Sequence, residues 1–275
     1  MPELPETETI ARDLQRELTG AAINRVTVAH VDVLRETSPA KLRRSVTGAT
    51  ITRCWRRAKL VVLDLSTGNR LVVQPRFTGA LLIDTGALPD RERAYATITF
   101  HLDDGRDLLY RDIRRLGTVT LMSPGRWMRH ESTLGVEPLD PGFTVTHLSG
   151  ALRGSSLAVK KLLMDQRRIA GLGNIYANEA LWRAEIDPSR AGRSIRAEEI
   201  DRLHAGIVSV LRESIAARGT SFRDYRDASG NRGAFAEQLD AYGRGGEPCH
   251  RCGGRLVATD AIDGRATVLC HRCQR

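Results

Sequence analysis

The sequence predicts an α+β multidomain protein: an N-terminal helix, an N-terminal antiparallel β-sandwich, a helical region and a zinc-bound β-hairpin. Three observations carry this prediction. Ile10, Leu14 and Leu18 recur at helical spacing, the stretch from there to Met122 switches to strand-like runs parted by turn residues, and the far end holds two Cys-x-x-Cys pairs. A chain of 275 residues is long enough for two or three domains with their own cores.

Taken in order, residues 5–18 form an amphipathic helix with Gly20 as its stop, because glycine adopts the left-handed conformation that ends helices. Strands are expected over 22–28, 49–55, 59–65, 70–74, 80–84, 95–102, 107–110 and 118–122. Turn residues such as Thr67-Gly68-Asn69 and Asp103-Asp104-Gly105 separate them, which argues for an antiparallel sandwich. Residues 135–142, rich in Pro, Gly and Asp, predict a linker. Helical patterns follow at 144–152, 156–165, 174–183 and 197–217, the last with Ile200, Leu203, Ile207, Leu211 and Ile215 on one face.

Cys249, Cys252, Cys270 and Cys273 form two pairs with seventeen residues between them, a spacing suited to a tetrahedral thiolate site. Four thiolates would close the coordination of one structural Zn²⁺, leaving no position for reacting water. Two disulfides or a redox dithiol are the alternatives. The flanking His250 and His271 fit solvated or phosphate-facing positions, and Cys54, in an apolar run, fits a buried thiol.

The formal charge of +9 suits a polyanionic partner, although scattered surface arginine would give the same total. The charge is mostly arginine, and the lysines are Lys41, Lys59, Lys160 and Lys161, so each raises a chemical question. With no long apolar stretch and no basic-then-apolar leader, neither membrane nor secretory routing is expected, and a soluble intracellular protein is.

Two local motifs point to chemistry. If Met1 is removed, Pro2 becomes a secondary amine flanked by Glu3 and Glu6. An α-amino group titrates at roughly 7.7–8.0 against about 10.4 for lysine, so much more of it is neutral near pH 7. Such an amine attacking an aldehyde-level carbon gives an iminium, the electron sink of Schiff-base catalysis. The same residues also suit ordinary helix entry. Gly171-Leu172-Gly173-Asn174, just ahead of a helix, can clamp a phosphate through close backbone approach and free N–H groups, but alone it equally suits a plain turn.

In combination these motifs resemble a known family. MPELPE at the start, RRAK at 56–59, LVVQPRFTG at 71–79, RDIRRLG at 111–117, DQRRIAGLGNIYANEALW at 165–182, GTSFRDY at 219–225, YGRGGEPC at 242–249 and GRATVLCHRCQ at 264–274 occur in the order found in formamidopyrimidine-DNA glycosylases. These are bifunctional base-excision repair enzymes, in a family that also contains endonuclease VIII. The resemblance implies an N-terminal β-sandwich catalytic domain at 1–134, a helix-two-turn-helix DNA-binding domain at 135–218, and a lesion-capping loop with a four-cysteine zinc finger at 219–275. It implies damaged double-stranded DNA as partner, one structural Zn²⁺, and a cytoplasmic, nucleoid-associated monomer.

Position by position, Pro2 matches the nucleophile, Glu3 the carboxylate that assists ring opening and proton transfer, and Lys59 the lysine near the lesion and its phosphate. Glu6 and Glu179 match supporting carboxylates, with helix capping or solvation as the alternatives. Lys160, Asn174 and Arg265 match phosphate ligands, and Arg223 lies in the stretch matching the capping loop. Phe77, Arg114 and Leu116, with Arg115 adjacent, occupy the positions that fill the vacated base stack. Relatives typically carry methionine, arginine and phenylalanine there, so the aromatic has moved to the other loop, and Thr7 and Ile113 depart further from the common pattern.

Residues 219–235 and the MPELPE start resemble the branch that removes 8-oxoguanine and formamidopyrimidines through a Schiff base at Pro2, nicking the strand by β,δ-elimination. The alternatives are an endonuclease VIII-like glycosylase for oxidised pyrimidines and a non-catalytic zinc protein that binds abasic or damaged DNA.

Overall fold

The computed structural model describes residues 2–275, so the removal of Met1 lies outside the described residues. The chain forms two compact units. One contains the sequence up to 132 together with 217–236, and the other contains 133–216 and 237–275.

In the first unit, α1 (Leu4–Leu18) begins at Glu3, which caps it in a reciprocal box with Glu6. Its Ile10, Leu14 and Leu18 are fully buried, as the spacing predicts. Eight strands follow: β1 (Ile23–Val28), β2 (Ile51–Arg57), β3 (Leu60–Leu65), β4 (Arg70–Gln74), β5 (Gly79–Asp84), β6 (Ala96–Leu102), β7 (Asp107–Asp112) and β8 (Thr118–Met122). They make two four-stranded sheets, ordered β1-β6-β7-β5 and β2-β3-β4-β8, with every pairing antiparallel. Residues from both sheets, among them Val61, Leu63, Val73, Leu81, Phe100 and Tyr110, share one core with α1. Each large apolar side chain so buried contributes about 1.5–3 kcal/mol. Cys54 is in that core, and burial, reinforced by nearby Asp64, pushes its thiol up to about 12.

Three short helices fall outside the predicted pattern: α2 (Pro39–Val46), α3 (Asp90–Arg93) and α4 (Pro124–Glu131). The segment 217–236 joins this unit because Tyr225 and Ala228 enter the sandwich core. Arg218 fastens it further, its Nη2 donating to Asp13 at 2.5 Å and to Asp227 at 2.6 Å.

The second unit holds α5 (Val145–Leu152), α6 (Val159–Leu163), α7 (Asn174–Arg183), α8 (Ala197–Ala216) and a hairpin of β9 (Val257–Thr259) and β10 (Thr267–Leu269). Residues 135–142 are a packed strap, since Val136 pairs with Ile169 and accepts the N–H of Ala170. The α6 helix is shorter than its pattern because the N–H groups at its start donate out of the helix, to Arg190 and Pro188 carbonyls. α7 packs on α8, with the Tyr176 and Ser214 hydroxyls 2.6 Å apart. No helix among the described residues is long and apolar enough to cross a membrane.

Glu199 secures the start of α8 by accepting the N–H of Arg196 at 2.7 Å and two bonds from Arg190 at 2.7 and 3.0 Å. The Arg190 guanidinium, against the opposing effect of burial, lowers its carboxyl to about 2. A depressed acid stabilises the fold above its unfolded pKa, and that contribution fades as pH falls from about 4.5 to about 2. Glu199→Gln should therefore lose about 3 kcal/mol near neutrality, with thermal unfolding of mutant and wild type converging as the pH approaches 2.

Candidate active site

In the first unit, Pro2 is buried and Glu3 is 1 % exposed. Glu6 Oε2 accepts the N–H of Glu3 at 2.7 Å, and its Oε1 accepts the N–H of Thr220 at 2.8 Å. One buried carboxylate thus fixes the backbone beside Pro2 and the start of the 217–236 segment. Glu6, expected as a supporting carboxylate, directs both oxygens at backbone donors.

Lys59 is half-buried in the turn between β2 and β3, next to Ala58 at φ +53°. That left-handed conformation costs a non-glycine residue about 1–2 kcal/mol, so other contacts must hold the turn. Arg56 supplies them, Nη1 donating to Ala58 O at 3.1 Å and Nε to Glu8 at 2.8 Å. Burial raises the Glu8 carboxyl, but Arg56 and Arg12 beside it prevail and hold it below the ordinary range. The turn that carries Lys59 is therefore fastened to α1, the helix that Pro2 and Glu3 precede.

Two loops of the sandwich, 75–78 and 113–117, are locked together by buried polar groups. The Thr78 hydroxyl donates to Asp112 Oδ1 and accepts the N–H of Arg114 at 3.0 Å. Asp112 Oδ2 accepts the N–H of Gly117 at 2.8 Å and the Tyr110 hydroxyl at 3.3 Å. A Cβ on Gly117 would lie 1.9 Å from that hydroxyl, so only glycine fits. Phe77, Ile113 and Leu116 are displayed at 49, 36 and 39 % exposure, with the Arg114 guanidinium 5.4 Å from the Phe77 ring centre. Arg115 turns elsewhere, to His30 Nδ1 at 2.8 Å and Asp32 at 3.2 Å. Arg223 is exposed beside Asp224. The lock formed by Thr78, Asp112, Tyr110 and Gly117 escaped sequence reasoning, because its members come from different strands and loops.

In the second unit, three side chains converge on one carbonyl. Ala266 O accepts from Lys160 Nζ at 2.8 Å, Asn174 Nδ2 at 3.0 Å and Asn178 Nδ2 at 3.4 Å. Lys160 is fully buried and also donates to Thr267 Oγ1 at 2.7 Å, so its ammonium braces the hairpin from within. Arg265, one residue before that carbonyl, stays exposed with Asp263 3.7 Å away. Gln166 shapes the two-glycine turn by accepting the N–H of Gly171 at 2.8 Å and donating to Leu172 O at 2.8 Å, and Gly171 needs its φ of +84°. Glu179 is fully buried and accepts the N–H groups of Asp240, Ala241 and Tyr242 at 2.7–2.9 Å. It anchors the chain that enters the hairpin, whereas its sequence match implied a supporting carboxylate.

The sulfurs of Cys249, Cys252, Cys270 and Cys273 all lie within 4.8 Å of one another. That clustering and the all-thiol donor set fit a tetrahedral Zn²⁺, whose ligands sit about 2.3 Å from the metal. Burial pushes the Cys249 thiol up, but N–H donors from Cys252 and Arg251 outweigh it and bring it down to about 6. Trp182 of α7 packs against Cys249 and Cys270 and carries Arg251 4.3 Å above its ring. His250 is half exposed and meets Asp240 at 2.9 Å.

Three family models match the chain: the formamidopyrimidine-DNA glycosylase N-terminal domain over residues 1–119, the formamidopyrimidine-DNA glycosylase H2TH domain over 134–226, and the zinc finger found in FPG and IleRS over 246–275. Formamidopyrimidine-DNA glycosylases of Heliobacterium modesticaldum and Novosphingobium aromaticivorans are 41 % and 42 % identical to it over 278 residues, with all of both chains covered. Among solved structures, wild-type Lactococcus lactis Fpg with N7-benzyl-Fapy-dG DNA aligns at a TM-score of 0.91 and 31 % identity over 100 % of both chains. The same protein with abasic-site DNA aligns at 0.91 and 31 % over 99 % of each. MutM of Thermus thermophilus aligns at 0.87 and 32 %, covering 99 % of this chain and 98 % of its own. The cysteine cluster is a structural zinc finger, and the full-length agreement of sandwich, H2TH helices and finger makes the chain a member of the formamidopyrimidine-DNA glycosylase family.

Proposed function

We propose that this protein excises 8-oxoguanine and formamidopyrimidines from duplex DNA and then nicks the strand at the resulting abasic site. The observation that carries the reading is the fastening of the N-terminus. Glu6 fixes the backbone beside Pro2, and Arg56 ties the Lys59 turn to the same helix, so amine, carboxylate and ammonium belong to one rigid assembly.

With Met1 removed, the Pro2 nitrogen attacks C1′ of the damaged nucleoside, the bond to the base breaks, and the base leaves with a proton. Ring opening gives an iminium joining Pro2 to C1′. This sink acidifies C2′, whose proton is lost as the 3′ phosphate departs; a second elimination expels the 5′ phosphate, and water releases Pro2. Glu3 carries protons in these steps, and its burial keeps the carboxyl close to bound sugar instead of bulk water. Lys59 places an ammonium by the phosphate, where a lysine can also exchange a proton.

The exposed apolar residues Phe77, Ile113 and Leu116 fit insertion into the stack that a flipped nucleotide vacates. Arg114, free to point outward over Phe77, meets the orphaned base, whereas Arg115 is engaged by His30 and Asp32. In the second unit Arg265 and the start of α7 contact phosphate, with Lys160 holding the hairpin that presents Arg265. Zinc folds that hairpin, and no chemical step passes through it.

Borohydride should trap a covalent adduct on abasic duplex DNA, and Pro2→Gly or retention of Met1 should abolish it; unchanged trapping would remove Pro2 as the nucleophile. Phe77→Ala should lower excision from intact duplex about tenfold while leaving nicking of a preformed abasic site nearly as fast, as gel assays on the two substrates would reveal. Arg114→Ala should reorder the preference among opposite bases and Arg115→Ala should not. Cys249→Ser should release zinc, measured by elemental analysis, and weaken binding to damaged and undamaged duplex alike.

A further inference from the structure

Arg111 is a buried cation that the reaction described above does not use. It lies in β7, paired across to Ala80 of β5 and Ala96 of β6, and is 3 % exposed. Its Nη1 donates to two carbonyls, Thr78 O at 2.9 Å and Asp224 O at 3.3 Å. Its Nη2 meets Glu92 of α3 at 2.8 Å, and Glu92 is itself 5 % exposed. Nε and the facing Glu92 Oε2 are buried without hydrogen-bond partners, so the guanidinium is held by its two carbonyl bonds and by the opposite charge of Glu92 at the cost of two unsatisfied polar atoms.

The two carbonyls belong to different working parts. Thr78 adjoins Phe77 and closes the lock that binds loop 75–78 to loop 113–117. Asp224 lies in the 219–235 segment, whose Phe222 is 48 % exposed. A guanidinium is suited to such a bridge because its donors stand in a rigid planar fork.

We propose that Arg111 is a positioning residue that couples the base-wedging loops to the segment closing over the extruded base. Withdrawal of the wedge or opening of the cap would strain the shared guanidinium, so insertion of Phe77 and closure of 219–235 proceed together. Glu92 makes a buried cation tolerable by its opposite charge. The inference rests on the proposed roles of Phe77 and 219–235. It predicts that base excision depends on Arg111, whereas strand cleavage at a preformed abasic site, which holds no base to cap, does not.

The test compares wild type, Arg111→Lys, Glu92→Gln and the double variant Arg111→Gln/Glu92→Gln, which removes the buried charge pair without stranding either partner. Single-turnover excision on an 8-oxoguanine duplex and nicking on an abasic duplex are measured for each, with hydrogen exchange of residues 219–232 and a melting curve. In the double variant excision should fall about 10- to 100-fold, abasic nicking should stay within about twofold, and exchange over 219–232 should quicken. Arg111→Lys should recover part of the excision rate, and Glu92→Gln, which keeps both carbonyl bonds, should lose less than the double variant. Equal losses on both substrates, or no selective loss with folding intact, would overturn the coupling. If wild type itself neither excises 8-oxoguanine nor is trapped by borohydride, the functional reading fails instead, a result distinguishable from failure of the coupling.

Discussion

The candidate catalytic unit depends on the carboxylate of Glu6. It accepts one N–H from Glu3, three residues back, and another from Thr220, 214 residues ahead. The first bond holds the backbone of Glu3, next to Pro2, at the start of α1, and the second ties the 217–236 segment to that helix. Both bonds are shielded from water, and a hydrogen bond so placed is stronger than one exposed to solvent. Losing this carboxylate would free the N–H groups beside Pro2 and at the start of the segment together, while Tyr225 and Arg218 still hold the rest of the segment to the sandwich.

The second unit solves a related problem in the opposite sense. There a single acceptor, Ala266 O, gathers donors from α6 and α7, so the zinc hairpin is oriented by helices distant from it in sequence. Lys160 would be an expensive residue to bury without partners, and its ammonium finds two oxygens. Arg265, next to this junction, is left exposed on a braced support.

Much of this architecture is legible in the sequence. The strands at 70–74 and 118–122 stand where alternation and turn residues place them, and the cysteine spacing alone gives the metal cluster. The short helices α2 and α4 are too brief for periodicity to reveal, yet each starts with the same signal, Ser38-Pro39 and Ser123-Pro124, a cap residue followed by proline. Local sequence cannot say which core a segment will join. Residues 217–236 follow the long helix α8 and precede the zinc hairpin, but Tyr225 and Arg218 commit them to the unit whose sandwich strands end at Met122. Nor does a lysine reveal from sequence whether it will meet solvent or a buried carbonyl. Lys160 is decided by residues 106 and 107 positions away.

The return of 217–236 to the first unit also bears on how the protein is made. During synthesis the sandwich emerges first, but Asp13, which is 2 % exposed, waits for Arg218, and Glu6 waits for Thr220. Until the ribosome has passed these residues, the N-terminal unit lacks donors that Asp13 and Glu6 hold in the finished fold. The contacts that complete the unit span more than two hundred residues, so their closure comes late and slowly. The nascent chain therefore carries a sandwich whose contacts from Asp13 and Glu6 to the later segment are the last to form, and fragments ending before residue 217 would lack them.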